Sequence, residues 1–410
     1  MIPPRLDRDI GMSVYSTTHP GCGGVIRSEP EGFRVEEVLS DFALSKIKEV
    51  SDVSGRLPTF DTASRDDRYA VYTLEKRGID TGHALEGIRR LTGLKLKALG
   101  LKDAHATTRQ YVCAMSKNRS IPRFKSDRVL LTRIGYTKRP LTKKDMVGNK
   151  FAITVSGRGV KLKSLKMSDH ILNFYGYQRF GSRRAVTHLV GRAIIRRDFA
   201  DAVDHILAYV SSHDDTDIRQ SLSDSANYKQ VLPRLPPGMD VERAVLEEMI
   251  RSGDPLTALR AVPIRIRRMY IQAYQAYLFN RTLSDAFSYG EDLFAPQDSD
   301  ICYDNNNSLG RPGPGKRLAV PLVGYSYYKK TRFNFHISKI LEQEGISYRD
   351  FFIKELQEIS GEGGFREAAI RYQNFSISGD VVSFMLGRGS YATVLLREII
   401  KPADPVSCGF

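Results

Sequence analysis

Residues 69–115, YAVYTLEKRGIDTGHALEGIRRLTGLKLKALGLKDAHATTRQYVCAM, decide the fold class. YAVYTL (69–74) is a β-rich apolar run and predicts a strand. Asp80 and Thr81 stand where a helix cap belongs. Ala84, Leu85, Ile88 and Leu91 follow at spacings of three and four, and Gly93 marks the end. Leu96, Leu99 and TRQYVCAM (108–115) predict a turn and a second strand. Working outward, GGVIRSEPEGFRVEEV (23–38) alternates as a strand with a Pro-Glu-Gly turn inside it. VLLTRIGY (129–136) and FAITVSG (151–157) add two more strands. Alternating strands and helices with hairpin-length gaps predict a mixed α/β or α+β sheet, not a strictly parallel one.

After residue 185 the pattern turns helical. HLVGRAIIRRDFADAVDHILAYV (188–210), VERAVLEEMIRSGDPLTALRAV (241–262) and MYIQAYQAYLFNRTLSDAFS (269–288) each carry the helical period. Residues 289–317, rich in Asp, Asn, Gly and Pro, read as a mobile loop. SISGDVVSFML (376–386) predicts a late strand. Gly387 and Gly389 make a loop, and Ser390 is placed to cap a final helix, YATVLLREII. If the late strand closes the first sheet, the helical stretch is an insertion.

Charge is distributed unevenly. The 410 residues net +15, yet residues 101–200 hold 23 Lys and Arg against 5 Asp and Glu, a net of +18. Residues 1–100 balance at 15 and 15, residues 201–300 net −6, and residues 301–410 net +3. A single basic block predicts a polyanionic partner. The hydrophobic fraction of 41% and charged fraction of 27% are those of a folded globular chain and argue against disorder. Cys22, Cys113, Cys302 and Cys408 form no C-x-x-C pair, and the histidines complete no zinc spacing with them, so neither a metal centre nor a disulfide framework is expected. The start, MIPPRLDRD, lacks an apolar signal segment, and no stretch approaches bilayer-spanning length. A cytoplasmic protein is the expectation, without a membrane partner. No obligatory protein partner is evident, and a monomer is expected.

Three segments carry chemistry. In KALGLKDAHATTRQYV (97–112), Asp103 follows Lys102 inside the basic block. On the residues alone it reads first as a turn residue or cap, and second as a carboxylate that nearby cations keep ionised, fit to act as nucleophile or base. NFYGYQRFGSRR (173–184) interleaves Phe174, Tyr175, Tyr177 and Phe180 with Arg179, Arg183, Arg184 and the amides Asn173 and Gln178. Aromatics stack on unpaired bases, arginines bind phosphate and amides read base edges, although the same segment also fits a core edge flanked by solvated arginines. RIRRMYIQAYQAYLFN (265–280) starts a helix with Arg265, Arg267 and Arg268, against the helix-dipole preference, which suggests phosphate contact.

These segments in this order resemble the TruD family of tRNA pseudouridine synthases, archaeal type. The family signature GxKDxxAxTxQ stands here as Gly100, Lys102, Asp103, Ala106, Thr108 and Gln110. NFYGYQRFG (173–181), AYQAYLFN (273–280) and GSYATVLLRE (389–398) match the later signatures. The first signature, KxxxxDFxVxE, keeps Phe33, Val35 and Glu37 but has Arg27 and Gly32 at its lysine and aspartate positions.

The resemblance implies a tRNA pseudouridine synthase that isomerises uridine 13 without a cofactor. It implies Asp103 as the essential carboxylate, attacking C1′ or removing the 2′ proton, with Arg27 and Lys102 holding it ionised. Asn173 would hydrogen-bond the aspartate or the target nucleotide, and Tyr175 or Phe174 would stack on the base. Phe33, Glu37, Lys102, Gln178, Arg179, Arg183 and Arg268 complete the implied substrate-binding set. An α+β catalytic domain of residues 1–199 and 364–410, built on a mixed, largely antiparallel sheet with flanking helices, would carry an inserted, mostly helical α/β domain at 200–363. Together they would form a V-shaped cleft for the tRNA elbow and D-stem, with the insertion gripping RNA through Arg265, Arg267 and Arg268. A non-catalytic structured-RNA binder and a nuclease or glycosylase are the competing classes.

Overall fold

β1 (Phe33–Leu39) lies in the middle of the main sheet of the computed structural model, and its residues alternate in burial as a two-sided strand requires. The structure describes residues 1–49, 69–102, 104–114, 121–157, 159–160, 162, 165, 167–181, 184–211, 213–214 and 216–410. The next strands in chain order are β2 (Lys48–Glu49), β3 (Tyr69–Arg77), β4 (Leu96–Ala98), β5 (Thr107–Ala114) and β6 (Arg123–Lys125). β7 (Val129–Thr137), β8 (Met146–Thr154) and β9 (His170–Leu172) complete the first half. A second group follows: β10 (Cys302–Tyr303), β11 (Leu309–Gly310), β12 (Arg317–Leu322), β13 (Gly364–Glu367), β14 (Ala369–Ser378) and β15 (Val381–Gly387).

Among the described residues, eleven strands form the main sheet along the path β2-β7-β3-β5-β1-β8-β15-β14-β9, with β4 beside β5 and β6 beside β7. Only β1 and β5 run parallel; the other described pairings of this sheet are antiparallel. The sheet is mixed, as the hairpin-length gaps predict, and mainly antiparallel, as the family resemblance implies. The late strand does close it, since β15 pairs with β8 over seven residues from Val381 opposite Thr154 to Gly387 opposite Gly148.

The helix Thr81–Thr92 forms where its signals place it. The Asp80 carboxylate accepts from the His83 amide at 3.1 Å, and Gly93 ends the helix at φ +72°. Other elements depart from expectation. The 23–38 stretch is a strand only from Phe33, after a 3-10 turn at Pro30–Gly32. The 188–210 stretch divides into helices Thr187–Ile195 and Phe199–Leu207, because Arg197 takes φ +64° between them. The 241–262 stretch divides at Gly253, φ +66°, where Asp254 caps a new helix beginning at Pro255. Residues 289–317 are not simply a loop. They supply β10, β11 and the start of β12 to a four-stranded sheet of order β11-β10-β12-β13, and buried Asp300 accepts from Arg332 at 3.0 Å. The strand expected at 376–386 is a hairpin of β14 and β15. The final helix begins at Ala392 with Tyr391 as its cap residue and no side-chain capping bond, so Ser390 does not cap it.

That final helix, Ala392–Ile400, is buried along its whole length and anchors the N-terminal segment. Arg397, fully buried, pairs with Asp7 and donates to the Met12 carbonyl at 3.0 Å. The long helix Ile264–Ser288 packs against Thr187–Ile195. Gly191 permits this contact, because a Cβ there would overlap the Tyr270 carbonyl oxygen.

Candidate active site

One face of β5, β1 and β8 supplies the floor of a cleft of about 290 Å³. Register puts Thr108 beside Val35, and Val35 beside Phe151, so these three side chains share that face. Arg27, Phe33, Lys102, Gln178, Tyr391 and Thr393 also line the cleft. Phe33 and Phe151 meet edge to face at 6.5 Å, and the Arg27 guanidinium lies 4.5 Å from the Phe33 ring centroid. Arg27 holds φ +60°, a conformation that costs a non-glycine residue about 1–2 kcal/mol. Such strain concentrates where a side chain must be aimed.

The turn carrying Lys102 is tied down from below. Thr81, first residue of its helix, accepts from the Lys102 amide at 2.9 Å and donates to Gln110 Oε1 at 3.0 Å. Gln110 Nε2 donates to the Gly100 carbonyl at 3.1 Å. The Lys102 ammonium pairs with Glu37 at 3.0 Å and donates to Asn149 Oδ1 at 2.9 Å. Glu37 is 1% exposed and also accepts from the Tyr111 amide at 2.9 Å. Glu37 is therefore a support under Lys102, not a residue facing substrate. Lys102 in turn has much of its charge committed to Glu37. Asp103 and Arg183 lie outside the described residues. In the chain Asp103 stands between Lys102 and Ala106, both of which line the cleft.

The 173–184 segment is divided by burial. Phe174, Tyr177 and Phe180 are core residues, so Phe174 has no face to offer a base. Arg184 is also turned inward, bonding the Ile206 and Tyr209 carbonyls at 2.7 and 3.1 Å and approaching Glu242 at 3.3 Å. Burial lowers its pKa to about 10. Gln178 reaches the cleft, where Thr393 Oγ1 donates to its Oε1 at 3.3 Å. Asn173 does not line it. Its Nδ2 donates to the Glu367 carbonyl at 2.9 Å and its Oδ1 accepts from Arg366 at 2.7 Å. Its amide holds Arg366, whose guanidinium sits 4.1 Å from the Tyr175 ring centroid and 5.9 Å from that of Tyr391. Burial pushes the Tyr175 phenol up, and Arg366 opposes the shift. Arg179 lies 5.5 Å from the same ring.

The basic helix start also divides. Arg267 is buried, bonding the Val262 carbonyl at 2.9 Å and Glu358, so it is an internal strut and not a phosphate contact. Arg268 remains exposed while donating to the Glu358 carbonyl at 3.0 Å, and Arg265 is exposed. Asn280 clamps the backbone of Tyr175 from both sides, accepting from its amide at 2.8 Å and donating to its carbonyl at 3.1 Å.

Sequence reasoning missed Asn149, Phe151, Tyr391, Thr393 and Arg366. Register could have found Asn149 once β1 and β8 were paired, because it stands opposite Glu37. Thr108, a signature position, has its hydroxyl buried at the cleft with no hydrogen-bond partner among the described residues. Such a group is costly unless a ligand satisfies it. Among the described residues, no group of three His, Cys, Asp or Glu is placed to hold a metal ion, and no helix is long and apolar enough to cross a membrane.

Comparison with known proteins defines the class. The family model for tRNA pseudouridine synthase D (TruD) matches residues 9–399. The probable tRNA pseudouridine synthase D of Pyrobaculum islandicum is 30% identical over 99% of both chains. A probable tRNA pseudouridine synthase D from Methanocaldococcus jannaschii is 32% identical over 96% of this chain and 100% of that protein. The crystal structure of a TruD protein from Methanosarcina mazei superposes with a TM-score of 0.76 at 25% identity, covering 99% of this chain and 100% of that one. The chain belongs to the TruD family of tRNA pseudouridine synthases.

Proposed function

We propose that this protein isomerises uridine to pseudouridine in tRNA, at uridine 13, with Asp103 as the essential carboxylate. The observation that carries this is the pinned turn. Thr81, Gln110, Glu37 and Asn149 fix the residues just before Asp103 at an aromatic-floored cleft. The reaction breaks the N-glycosidic bond, turns the uracil and rejoins it to C1′ through carbon 5. It has no net redox change, so nothing in it demands a cofactor. Asp103 attacks C1′ or takes the 2′ proton, and either role needs it ionised. Arg27, at the rim, is the proposed partner of that charge, and Lys102 adds to the local positive potential. Tyr391 is the proposed stacking surface for the flipped base, with Tyr175 behind it and the Phe33 ring, under Arg27, lining the floor. Gln178 and Thr108 offer polar contacts to its edge. Unstacking the target costs a few kcal/mol, which phosphate contacts by the basic block offset. Asn173 acts as a positioning residue through Arg366.

The proposed catalytic unit is residues 1–199 with 364–410, supported by the pairing of β15 with β8. Residues 200–363 form the inserted unit. Mapping pseudouridine by carbodiimide-dependent primer-extension stops on an unmodified tRNA transcript tests the target. A stop at position 13 with wild-type protein, absent from a transcript carrying cytidine there, is expected. Stops only at other uridines would move the target. Intact RNA with bound protein and no stop would favour the RNA-binder class, and a cleaved or abasic strand the nuclease or glycosylase class.

A further inference from the structure

Residues 305–340 contain seven Lys and Arg and no Asp or Glu, a run concealed within residues 301–410, whose 14 basic and 11 acidic residues net only +3. Three of its lysines and its exposed rings gather in YSYYKKTR (325–332) and the helix Asn334–Gln343 that follows. Lys329, Lys330 and Lys339 are exposed and line a groove of about 920 Å³ with Phe335. Arg332 is not free for a ligand, because Glu291 and Asp300 hold it at 2.7 and 3.0 Å. Glu342 is the one carboxylate on the groove's described lining. Tyr325, Tyr328 and Phe335 are 40%, 44% and 60% exposed, so aromatic surface lies beside the lysines. A merely solubilising surface mixes charges of both signs and avoids exposed aromatics. Lysines interleaved with accessible rings are the pattern that contacts RNA phosphates and unpaired bases.

A chain of contacts links Tyr328 to the residues that support the cleft. The Tyr328 ring lies 6.2 Å from Phe365. Phe365 precedes Arg366 in β13, and Arg366 lies over Tyr175 and near Tyr391. We infer that Tyr328, Lys329, Lys330 and Lys339 form a second RNA-contact surface, which holds the phosphate backbone of the same tRNA whose uridine enters the cleft. The surface takes the identity of its RNA from the isomerase reading above. It also places the inserted unit's grip on the 325–339 stretch, with Arg267 taking no part.

The test compares wild type with the triple variant Lys329→Ala/Lys330→Ala/Lys339→Ala and with Tyr328→Ala. Affinity for unmodified tRNA is measured by fluorescence anisotropy across a salt series, and circular dichroism checks the fold. The triple variant is expected to bind at least about tenfold more weakly near physiological salt, with the slope of log K against log salt shallower by about two. Tyr328→Ala is expected to weaken binding while leaving the slope at its wild-type value. A triple variant with wild-type affinity and slope overturns the inference. Pseudouridine formation by wild type is scored separately. If it is absent while wild type binds tRNA and the triple variant does not, the isomerase reading fails and this surface stands.

Discussion

Arg27 concentrates the chemistry of the site at the scale of one residue. It lines the cleft, lies against Phe33, and holds a left-handed backbone conformation. The family signature has lysine at this position, and arginine supplies the same charge through a planar fork. If the role is to keep Asp103 ionised, charge should matter more than shape. Arg27→Lys is then expected to stay within about tenfold of wild-type pseudouridine formation, whereas Arg27→Met falls by about a hundredfold or more. Single-turnover rates on unmodified tRNA check this; equal losses in both variants would point to the fork itself. Glu37 shows the limit of reading residues singly. A carboxylate retained from a signature suggests substrate contact. Only the fold shows that it is buried, with Lys102 between it and the cleft.

Local signals were the legible ones at the scale of elements. Asp80, the 84–91 apolar stripe and Gly93 follow one another at steps of four residues or fewer, and the helix Thr81–Thr92 follows from them. The break at Gly253-Asp254-Pro255 was equally local and readable in principle. The break at Arg197 was not, because its guanidinium is held by the distant Asp350 and Phe352 carbonyls. β14 escaped notice since a bulge between Gln373 and Ser376 breaks its alternation. The helix Thr187–Ile195 carries a titratable consequence. His188 is buried between the rings of Phe180 and Tyr277, at 5.3 and 5.2 Å, and its Nε2 donates to the Asp9 carbonyl at 3.1 Å. Burial lowers its pKa from 6.5 to about 3. Between these values the unfolded chain binds a proton that the folded one refuses, so stability falls as pH drops and is unaffected by this group above the window. The loss is about 1.4 kcal/mol per pH unit. Urea unfolding of His188→Gln is expected to show a correspondingly shallower decline between about pH 6 and pH 4; parallel curves would contradict the assignment.

The whole molecule explains why the site was only half legible. The proposed catalytic segment is readable because signature residues cluster within 100–110, but the contacts that aim it are long-range. Lys102 meets Asn149 47 residues away, and Asn173 meets Arg366 193 residues away. Such pairings exist only after β1 brings β5 and β8 to its two sides and β9 pairs with β14. Net charge by hundreds of residues marks the basic block at 101–200 but hides the 305–340 run, because Arg and Lys there are offset by acids later in the chain. The aromatic-rich 173–184 segment reads as a base-stacking loop in one dimension, yet three of its four rings build the core on which the cleft rests.

The central claim is that Asp103 breaks and re-forms the glycosidic bond. Isomerisation replaces the hydrogen on uracil C5 with the bond to ribose, so tRNA labelled with tritium at C5 releases it to water on turnover. Wild-type protein is predicted to release one tritium per modified tRNA. Asp103→Asn is predicted to release none above background while binding the tRNA with comparable affinity. Release by the asparagine variant at a rate near wild type would contradict the account.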